Sequence, residues 1–265
     1  MQLKMFQVDA FTARLFTGNP AAVVILEADI DSALMQSIAA ENNLSETAFI
    51  NILKRPMTIR WFTPSAEVDL CGHATLAAAK VLFDYYPEFA RTQIRFQSRR
   101  GMLNVRQVDD RICLDFPADT NPEVVDIAEH GALIRSLGDA PTAILRGVDD
   151  YLLVFVKQVQ IQRLTPDFQY LQKLDGRGVV VSARGDEVDF VSRCFYPKLG
   201  VDEDPVTGSA HTLLIPYWVE QLDKQSLLAR QLSARGGELH SSLHGERVSI
   251  ADDCVIFFQA TITVG

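Results

Sequence analysis

Two segments of the chain are apolar on nearly every helical face: HATLAAAKVLF at 73–83 and SAHTLLIPYWV at 209–219. A helix that is apolar all round is a buried helix, so both are predicted to lie inside the protein. The rest of the chain contains short stretches rich in Val, Ile and Phe, bounded by Gly, Pro and Asp, which predict strands. These stretches include PAAVVIL, YLLVFV, GVVVSA and CVIFF. The pattern therefore predicts sheets packed around two buried helices.

The sequence also repeats itself. The matched pairs are RWFTP (60–64) with RCFYP (193–197), CGHA (71–74) with TGSA (207–210), and SRRG (98–101) with SARG (233–236). Their offsets agree closely, at 193−60=133, 208−72=136 and 233−98=135. An internal repeat of this length indicates two copies of one structural unit.

We therefore predict an α+β fold of two pseudo-symmetric halves, each a curled β-sheet or barrel around a central buried α-helix. The halves are expected to span 1–118 and 119–265, joined near PADTNP at 117–122. The last strand of the chain could cross to the first half.

Composition narrows the class of protein. The chain has 265 residues, of which 48% are hydrophobic and 22% charged, as in ordinary globular proteins. A net charge of -9 argues against a nucleic-acid surface, which needs clustered Lys and Arg. The start of the chain lacks the apolar core of a secretory signal, and no run approaches the ~18 apolar residues of a membrane span. We expect a cytoplasmic protein that binds neither nucleic acid nor membrane.

Cysteine and histidine spacing does not indicate a metal site. Cys71, Cys113, Cys194 and Cys254 are far apart, with no CxxC pair, so reduced thiols are expected. His240 and His244 stand four apart, but no third ligand is evident nearby. We predict no metal and no other cofactor.

A glycine precedes each predicted buried helix, at Gly72 and Gly208. The N–H groups and positive dipole end of each helix would then be available to an anion, such as a substrate carboxylate. The alternative is that each glycine only lets the chain turn tightly.

Glu46 and His73 are the first candidates for chemistry. Alternation in LSETAFINIL places Leu44, Glu46, Ala48, Ile50 and Ile52 on one strand face, where burial would raise the pKa of the Glu46 carboxyl. A frayed strand start with Glu46 in water remains open. His73 would open its helix, where the dipole disfavours a positive charge and favours a neutral imidazole. It could instead cap its own helix.

Asp204 and Ser209 flank the second glycine turn, DPVTGSA. Asp204 could hold a cationic or amine group, and Ser209 could contact substrate; both could instead cap the helix. A serine-hydrolase triad with His211 is disfavoured, because TGSAH lacks the G-x-S-x-G elbow. Asn19, in the Gly18-Asn19-Pro20 loop, fits a turn or a substrate-facing position equally well.

Taken together, DAFT…FTGNPAAVV, NLSETAFI, FTPSAEVDLCGHATLAAA and DEDPVTGSAHTLLIPYW resemble the PhzF-like proteins of phenazine biosynthesis, an isomerase family with the diaminopimelate epimerase fold. The resemblance extends over most of the chain. It implies an active site in a cleft between two similar halves, and commonly a homodimer. The site residues it implies are Glu46 as catalytic acid/base, His73, Asp204 and Ser209 as catalytic partners, and Gly72, Gly208, Asn19 and Thr207 as substrate-binding positions.

One departure bears on the chemistry. The related epimerases and racemases exchange a proton between two opposed cysteines, whereas the corresponding positions here hold Cys71 and Thr207. This favours a cofactor-independent isomerase in which Glu46 alone moves one proton on a small carboxylate. Dihydrohydroxyanthranilate, the family's named substrate, is one candidate. The alternatives are an amino-acid epimerase or racemase, and a non-catalytic ligand- or protein-binding member of the fold.

Overall fold

The structure is a computed structural model that describes residues 1–89, 93–108 and 110–265. The chain divides into two compact units, of which unit 1 is Met1–Asp115 with Ile250–Gly265 and unit 2 is Phe116–Ser249. The division falls close to the boundary predicted after residue 118. The last strand, Cys254–Thr263, belongs to unit 1. No helix in the described ranges is long and apolar enough to span a membrane.

Unit 1 contains nine strands and two longer helices among its described residues. Numbered in chain order, the strands are β1 (Gln2–Ala10), β2 (Asn19–Leu26), β3 (Glu46–Asn51), β4 (Met57–Phe62), β5 (Glu67–Val68), β6 (Ile94–Ser98), β7 (Gly101–Val108), β8 (Arg111–Pro117) and β18 (Cys254–Thr263). The helices are α1 (Ser32–Asn42) and α2 (Gly72–Tyr85). Strand β1 pairs antiparallel with β18 and with β2.

Further along unit 1, β2 pairs parallel with β3, and β3 pairs antiparallel with β4. Strand β4 pairs antiparallel with β5 and parallel with β6, which pairs antiparallel with β7. Parallel neighbours need a crossover, and here α1 lies in the β2–β3 connection and α2 in the β4–β6 connection.

Unit 2 contains the other strands and α-helices, with β17 running across the division into unit 1. Its strands are β9 (Glu123–Val125), β10 (Ala143–Arg146), β11 (Asp150–Val154), β12 (Gly178–Arg184), β13 (Phe190–Tyr196), β14 (Val201–Asp204), β15 (Ser226–Gln231), β16 (Gly237–His244) and β17 (Arg247–Asp252). Its helices are α3 (Gly131–Leu137), α4 (Gln158–Arg163), α5 (Phe168–Leu171) and α6 (His211–Leu222).

The pairings of unit 2 follow the same pattern as those of unit 1. Strand β10 pairs antiparallel with β11, β11 parallel with β12, and β12 antiparallel with β13. Strand β13 then pairs antiparallel with β14 and parallel with β15, which pairs antiparallel with β16. Helix α6 lies in the β13–β15 connection, as α2 does between β4 and β6.

The arginine that opens each repeated motif makes the same contacts in both units. Arg60 donates from Nε and Nη2 to the Glu67 carboxylate at 2.7 and 2.6 Å, and Arg193 donates to Glu203 at 2.7 and 2.8 Å. Each guanidinium also lies over a phenylalanine two residues on, Phe62 at 5.1 Å and Phe195 at 5.0 Å. The two arginines of the repeated motifs thus share these side-chain contacts.

Helices α2 and α6 are largely buried. In α2 the buried residues are Gly72, His73, Ala74, Thr75, Leu76, Ala77, Ala78, Ala79, Val81 and Leu82. In α6 they are His211, Leu213, Leu214, Ile215, Trp218 and Val219. In both helices most of the apolar residues of the predicted segments are buried.

The structure adds detail at β3 and corrects the predicted start of α6. Thr47–Asn51 are buried throughout, so both faces of β3 are covered over these residues. Parallel pairing with a helical crossover covers both faces of such a strand. Helix α6 begins at His211 instead of directly after Gly208. The Thr207 carbonyl accepts from His211 Nδ1, and the His211 N–H bonds Gly208 O at 3.1 Å, which makes 208–210 a turn.

Candidate functional site

Glu46 and His73 meet in unit 1. Glu46 is the first residue of β3, and its Oε2 lies 3.2 Å from His73 Nε2 on α2. The side chains are 16% and 5% exposed. The separation is within hydrogen-bond range, but the two groups are not well aligned, so Nε2 has no formal hydrogen-bond acceptor among the described residues. Glu46 does stand at a strand start, as one alternative held, yet its carboxylate is mostly covered.

Burial keeps His73 neutral. It lowers the pKa of the His73 imidazole from 6.5 to about 3. The helix dipole was expected to keep the imidazole neutral, whereas the dominant cause in the structure is loss of solvent. Helix α2 starts at Gly72 with Cys71 as its N-cap residue, and the Cys71 side chain makes no capping hydrogen bond. His73 therefore does not cap its own helix.

Asn19 fixes the orientation of the His73 ring. Asn19 is buried at the start of β2, and its Nδ2 lies 3.2 Å from His73 Nδ1. An amide nitrogen only donates, so this orientation of the amide makes Nδ1 the acceptor and places the ring proton on Nε2, facing Glu46. The preceding Gly18 has φ +67°, and a Cβ there would lie 2.2 Å from Ala10 O. Gly18 makes the turn, and Asn19 contacts the histidine.

Cys71 completes this cluster. Its Sγ lies 3.5 Å from His73 Nδ1, and the ligand atoms of Glu46, Cys71 and His73 lie within 4.8 Å of one another. Three such groups can bind a metal, but here the thiol and the carboxylate approach opposite nitrogens of one ring. A metal on either nitrogen would point away from one of them. The geometry fits a hydrogen-bonded group better than a metal site.

Asp204 and Thr207 form a second polar cluster, in unit 2. The Thr207 hydroxyl donates to Asp204 Oδ2, and Gln231 Nε2 donates to the Asp204 carbonyl at 2.7 Å. The Thr207 N–H in turn donates to Gln231 Oε1 at 2.9 Å. Helix α6 has Ala210 at its N-cap with no side-chain cap bond, so neither Asp204 nor Ser209 caps it. Gln231, on β15, was not predicted.

Ser209 is held by a residue that the sequence analysis missed. Arg177 Nη1 donates to Ser209 Oγ at 3.0 Å, and the same guanidinium forms a bidentate pair with Asp150. The Tyr196 hydroxyl donates to Asp150 Oδ2 at 3.4 Å. Burial raises the pKa of the Tyr196 phenol well above its usual value, so it remains a donor. A lone arginine before an apolar strand gave no signal of this role.

His211 is separated from Ser209 chemically. Its Nδ1 bonds the Thr207 carbonyl at 2.8 Å, and burial lowers the pKa of the imidazole to about 4. Ser209 Oγ bonds Arg177 instead. The described residues therefore contain no hydrolase triad at this turn. On β16, His240 and His244 are four residues apart, or ~13 Å along a strand, too far to share a metal.

The strand registers of β3–β4 and β12–β13 identify the residue of unit 2 that corresponds to Glu46 of unit 1. Thr47 pairs with Phe62 and Val179 pairs with Phe195, the two phenylalanines beneath the repeated arginines. The residue before Thr47 is Glu46, and the residue before Val179 is Gly178. A Cβ on Gly178 would lie 2.2 Å from Tyr196 Cδ1. The tyrosine ring occupies the space, so unit 2 has no carboxylate at this position.

Residues 8–260 match the family of phenazine biosynthesis-like proteins. The chain belongs to that family. A full-length relative, named an uncharacterized isomerase of Pseudomonas aeruginosa, is 53% identical over 262 residues and covers 99% of both chains. The predicted isomerase class is confirmed at the level of these relatives.

Solved structures agree with this assignment. The crystal structure of a PhzF family protein from Enterococcus faecalis matches the whole of both chains with 44% identity and a TM-score of 0.94. A hydroxyproline epimerase from Agrobacterium vitis matches with 9% identity and a TM-score of 0.63, covering 98% of this chain and 92% of its own. The second likeness shows the fold alone. A mixed α/β fold with a large sheet, shared with PhzF proteins and related epimerases, is thus established.

Proposed function

We propose that this protein is a cofactor-independent isomerase that shifts one proton on a small carboxylate, with Glu46 as its only acid/base group. The observation that carries the proposal is the contact of Glu46 with neutral His73, whose tautomer Asn19 fixes. A neutral imidazole beside a carboxylate orients it without adding a second titrating group at neutral pH.

The reaction balances with Glu46 alone. The Glu46 carboxylate takes a proton from one carbon, and the electron pair of that C–H bond moves into the conjugated system of the substrate. The resulting Glu46 carboxylic acid then returns the proton to a different carbon. The enzyme ends in its starting state, and no oxidant, reductant or cofactor is consumed.

The remaining predicted residues would bind the substrate. We assign His73, Asp204 and Ser209 to contacts with the substrate and with the reacting groups, and Asn19 and Thr207 to positioning. Backbone N–H groups near Gly72 and Gly208 would receive a substrate carboxylate. Neither glycine is among those with positive φ in the described residues, so a left-handed turn does not explain them.

A single base is supported by what unit 2 lacks. Gly178 stands at the position of Glu46, and Thr207 stands at the position of Cys71. Cys194, a cysteine of the same unit, is buried, and its Sγ lies 3.6 Å from Gln231 Oε1. Burial raises its pKa far above the usual thiol range, so it is not available as a thiolate.

The substrate must itself contain an acidic C–H. Positioned acid/base help contributes ~10²- to 10⁴-fold, too little to deprotonate an unactivated carbon. We therefore propose an allylic or carbonyl-adjacent C–H in a small carboxylate. Candidates are dihydrohydroxyanthranilate, simpler cyclohexadiene carboxylates and amino acids.

We extend the proposal to the architecture and its setting. The common pairing pattern and the paired arginine contacts support two pseudo-symmetric units, each built around its buried helix, α2 or α6. A homodimer in the cytoplasm stays a prediction from the sequence.

The test is proton exchange from D₂O into these carboxylates, followed by mass spectrometry and NMR. We expect wild type to incorporate deuterium, and Glu46→Gln to be slower by at least ~10²-fold. The matched control is Glu41→Gln, the same change at an exposed position of α1, which should exchange at the wild-type rate. Equal exchange by wild type and Glu46→Gln would refute the assignment.

The same assay separates the alternatives. An epimerase or racemase is favoured by one observation, the 3.5 Å contact of Cys71 Sγ with His73 Nδ1. It predicts that Cys71→Ala abolishes exchange while Glu46→Gln does not. A non-catalytic member of the family predicts no exchange by any variant, together with tight binding of a ligand or a protein.

A further inference from the structure

Arg177 occupies the rigid centre of a polar cluster in unit 2. Its Nε donates to Asp150 Oδ1 at 2.9 Å, and its Nη2 donates to Asp150 Oδ2. The guanidinium also lies over the Tyr196 ring, 5.0 Å from its centroid. The side chains of Arg177 and Asp150 are only 23% and 4% exposed. A bidentate pair that is stacked and buried holds the guanidinium in one position.

Two of the hydrogen bonds that Arg177 donates go to the carboxylate of Asp150. The Asp150 carboxylate offsets part of the guanidinium charge, so Arg177 attracts a free anion less strongly than an unpaired arginine would. Its third contact is different in kind, because Nη1 donates to the uncharged Ser209 Oγ at 3.0 Å. Because the guanidinium is held in one position, this hydrogen bond restrains the orientation of the Ser209 hydroxyl group.

The consequence for Ser209 follows from donor chemistry. A guanidinium only donates, so Ser209 Oγ accepts from Nη1 and its own hydrogen must point elsewhere. No acceptor for that hydrogen lies among the described residues, and Ser209 is partly exposed. A hydroxyl that accepts a charge-assisted hydrogen bond is also a better donor.

We propose that Arg177, held by Asp150 and Tyr196, is a positioning residue that sets Ser209 as a hydrogen-bond donor to the substrate. This deepens the proposed function, on which the substrate contact of Ser209 rests. Arg177 acts through Ser209 and does not touch the reacting atoms.

The first experiment needs no substrate. In Ser209→Cys the introduced thiol takes the place of the hydroxyl, and its thiolate should be stabilised by Nη1. We measure the pH dependence of its alkylation by iodoacetamide, with peptide mass spectrometry to identify the site. The midpoint is expected about one pH unit lower in Ser209→Cys than in Ser209→Cys/Arg177→Gln. The four native cysteines are buried and serve as slow internal references.

Two further variants control for damage to the fold. Arg177→Gln strands the buried Asp150 carboxylate, so the same midpoint is measured with Asp150→Asn added, which removes the charge of both partners. Arg193→Gln removes the arginine of the Arg193–Glu203 pair in the same unit, and it should leave the midpoint at position 209 unchanged. Equal midpoints with and without Arg177 would overturn the proposal.

The second experiment uses the carboxylate that shows deuterium exchange with wild type. Arg177→Gln is expected to lower kcat/KM about tenfold or more in the wild-type background, but less than twofold in Ser209→Ala. Equal losses in both backgrounds would show that Arg177 acts independently of Ser209. If Glu46→Gln retains full exchange, the proposed base is wrong, while the thiol midpoint still decides the role of Arg177.

Discussion

The protonation state of the His73 imidazole bears on the proposed chemistry and can be measured. Its imidazole is covered on all sides, with Asn19 at Nδ1 and Glu46 at Nε2. With the Asn19 amide nitrogen donating to Nδ1, the neutral Nε2–H tautomer is the one that fits this arrangement. That choice determines whether His73 can donate toward Glu46.

NMR of ¹⁵N-labelled histidine tests this state. Because burial lowers the pKa of His73 to about 3, its ring nitrogens should keep the shifts of the neutral Nε2–H form from pH 8 down to pH 5. Asn19→Ala should remove the preference for that tautomer while the ring stays neutral. A titration of His73 with a midpoint near 6.5 would contradict the assignment.

Gly178 gives a second prediction for a single residue. A Cβ there would meet the Tyr196 ring at 2.2 Å and the Phe195 carbonyl at 2.5 Å. We expect Gly178→Ala to lower the free energy of unfolding by about 1–3 kcal/mol, measured by urea titration, because the core cannot accept the methyl group without strain. Gly131→Ala is the matched control. Its φ of -56° is helical, and its nearest neighbour is the flexible end of Arg135, so little change or a small gain is expected.

At this scale the sequence located the residues of the motifs but not their partners. Glu46 and His73 could be singled out because each falls at the edge of a strongly patterned segment. Arg177 could not, since it contacts Asp150 and Ser209, which lie 27 and 32 residues away. Gln231 is likewise 24 residues from Thr207. Such contacts depend on which strands pair, and spacing along one chain does not contain that information.

Among the elements, the two buried helices were the most predictable. Their apolar faces are continuous, so burial followed from composition alone. The start of α6 was wrong because a side chain intervened: His211 Nδ1 takes the Thr207 carbonyl that a backbone N–H would otherwise bond. A pattern of apolar positions does not show whether a side chain or a backbone N–H will bond a given carbonyl group.

Pro216 inside α6 provides a test at the scale of the element. Proline lacks the N–H that would bond the Thr212 carbonyl, and that carbonyl instead accepts from the Asp119 N–H at 2.9 Å. Proline in a helix interior ordinarily costs about 3 kcal/mol relative to alanine. Because the freed carbonyl already has a partner here, we expect Pro216→Ala to raise the free energy of unfolding by less than about 1 kcal/mol. Urea unfolding measures this, and a gain near 3 kcal/mol would contradict it.

For the whole molecule, two buried histidines link stability to pH. Burial lowers the pKa of His73 to about 3 and that of His211 to about 4, whereas both would titrate near 6.5 in the unfolded chain. Above pH 6.5 both states are neutral at these positions and the folded state keeps its full stability. Below pH 6.5 the unfolded chain binds two protons that the folded chain does not, so stability falls as pH falls.

The slope of the free energy of unfolding against pH tests whether these two histidines cause the loss of stability. Each histidine contributes about 1.4 kcal/mol per pH unit between its unfolded and folded pKa, so together they should remove almost twice that per unit from about pH 5.5 to pH 4.5. His211→Asn keeps an amide donor for the Thr207 carbonyl and deletes one titrating group, so its slope should be about half. The comparison uses slopes from urea unfolding at several pH values, so a constant loss of stability in the variant does not affect it. Equal slopes in wild type and His211→Asn would mean that His211 takes up its proton in the folded state, and that its burial does not hold it neutral.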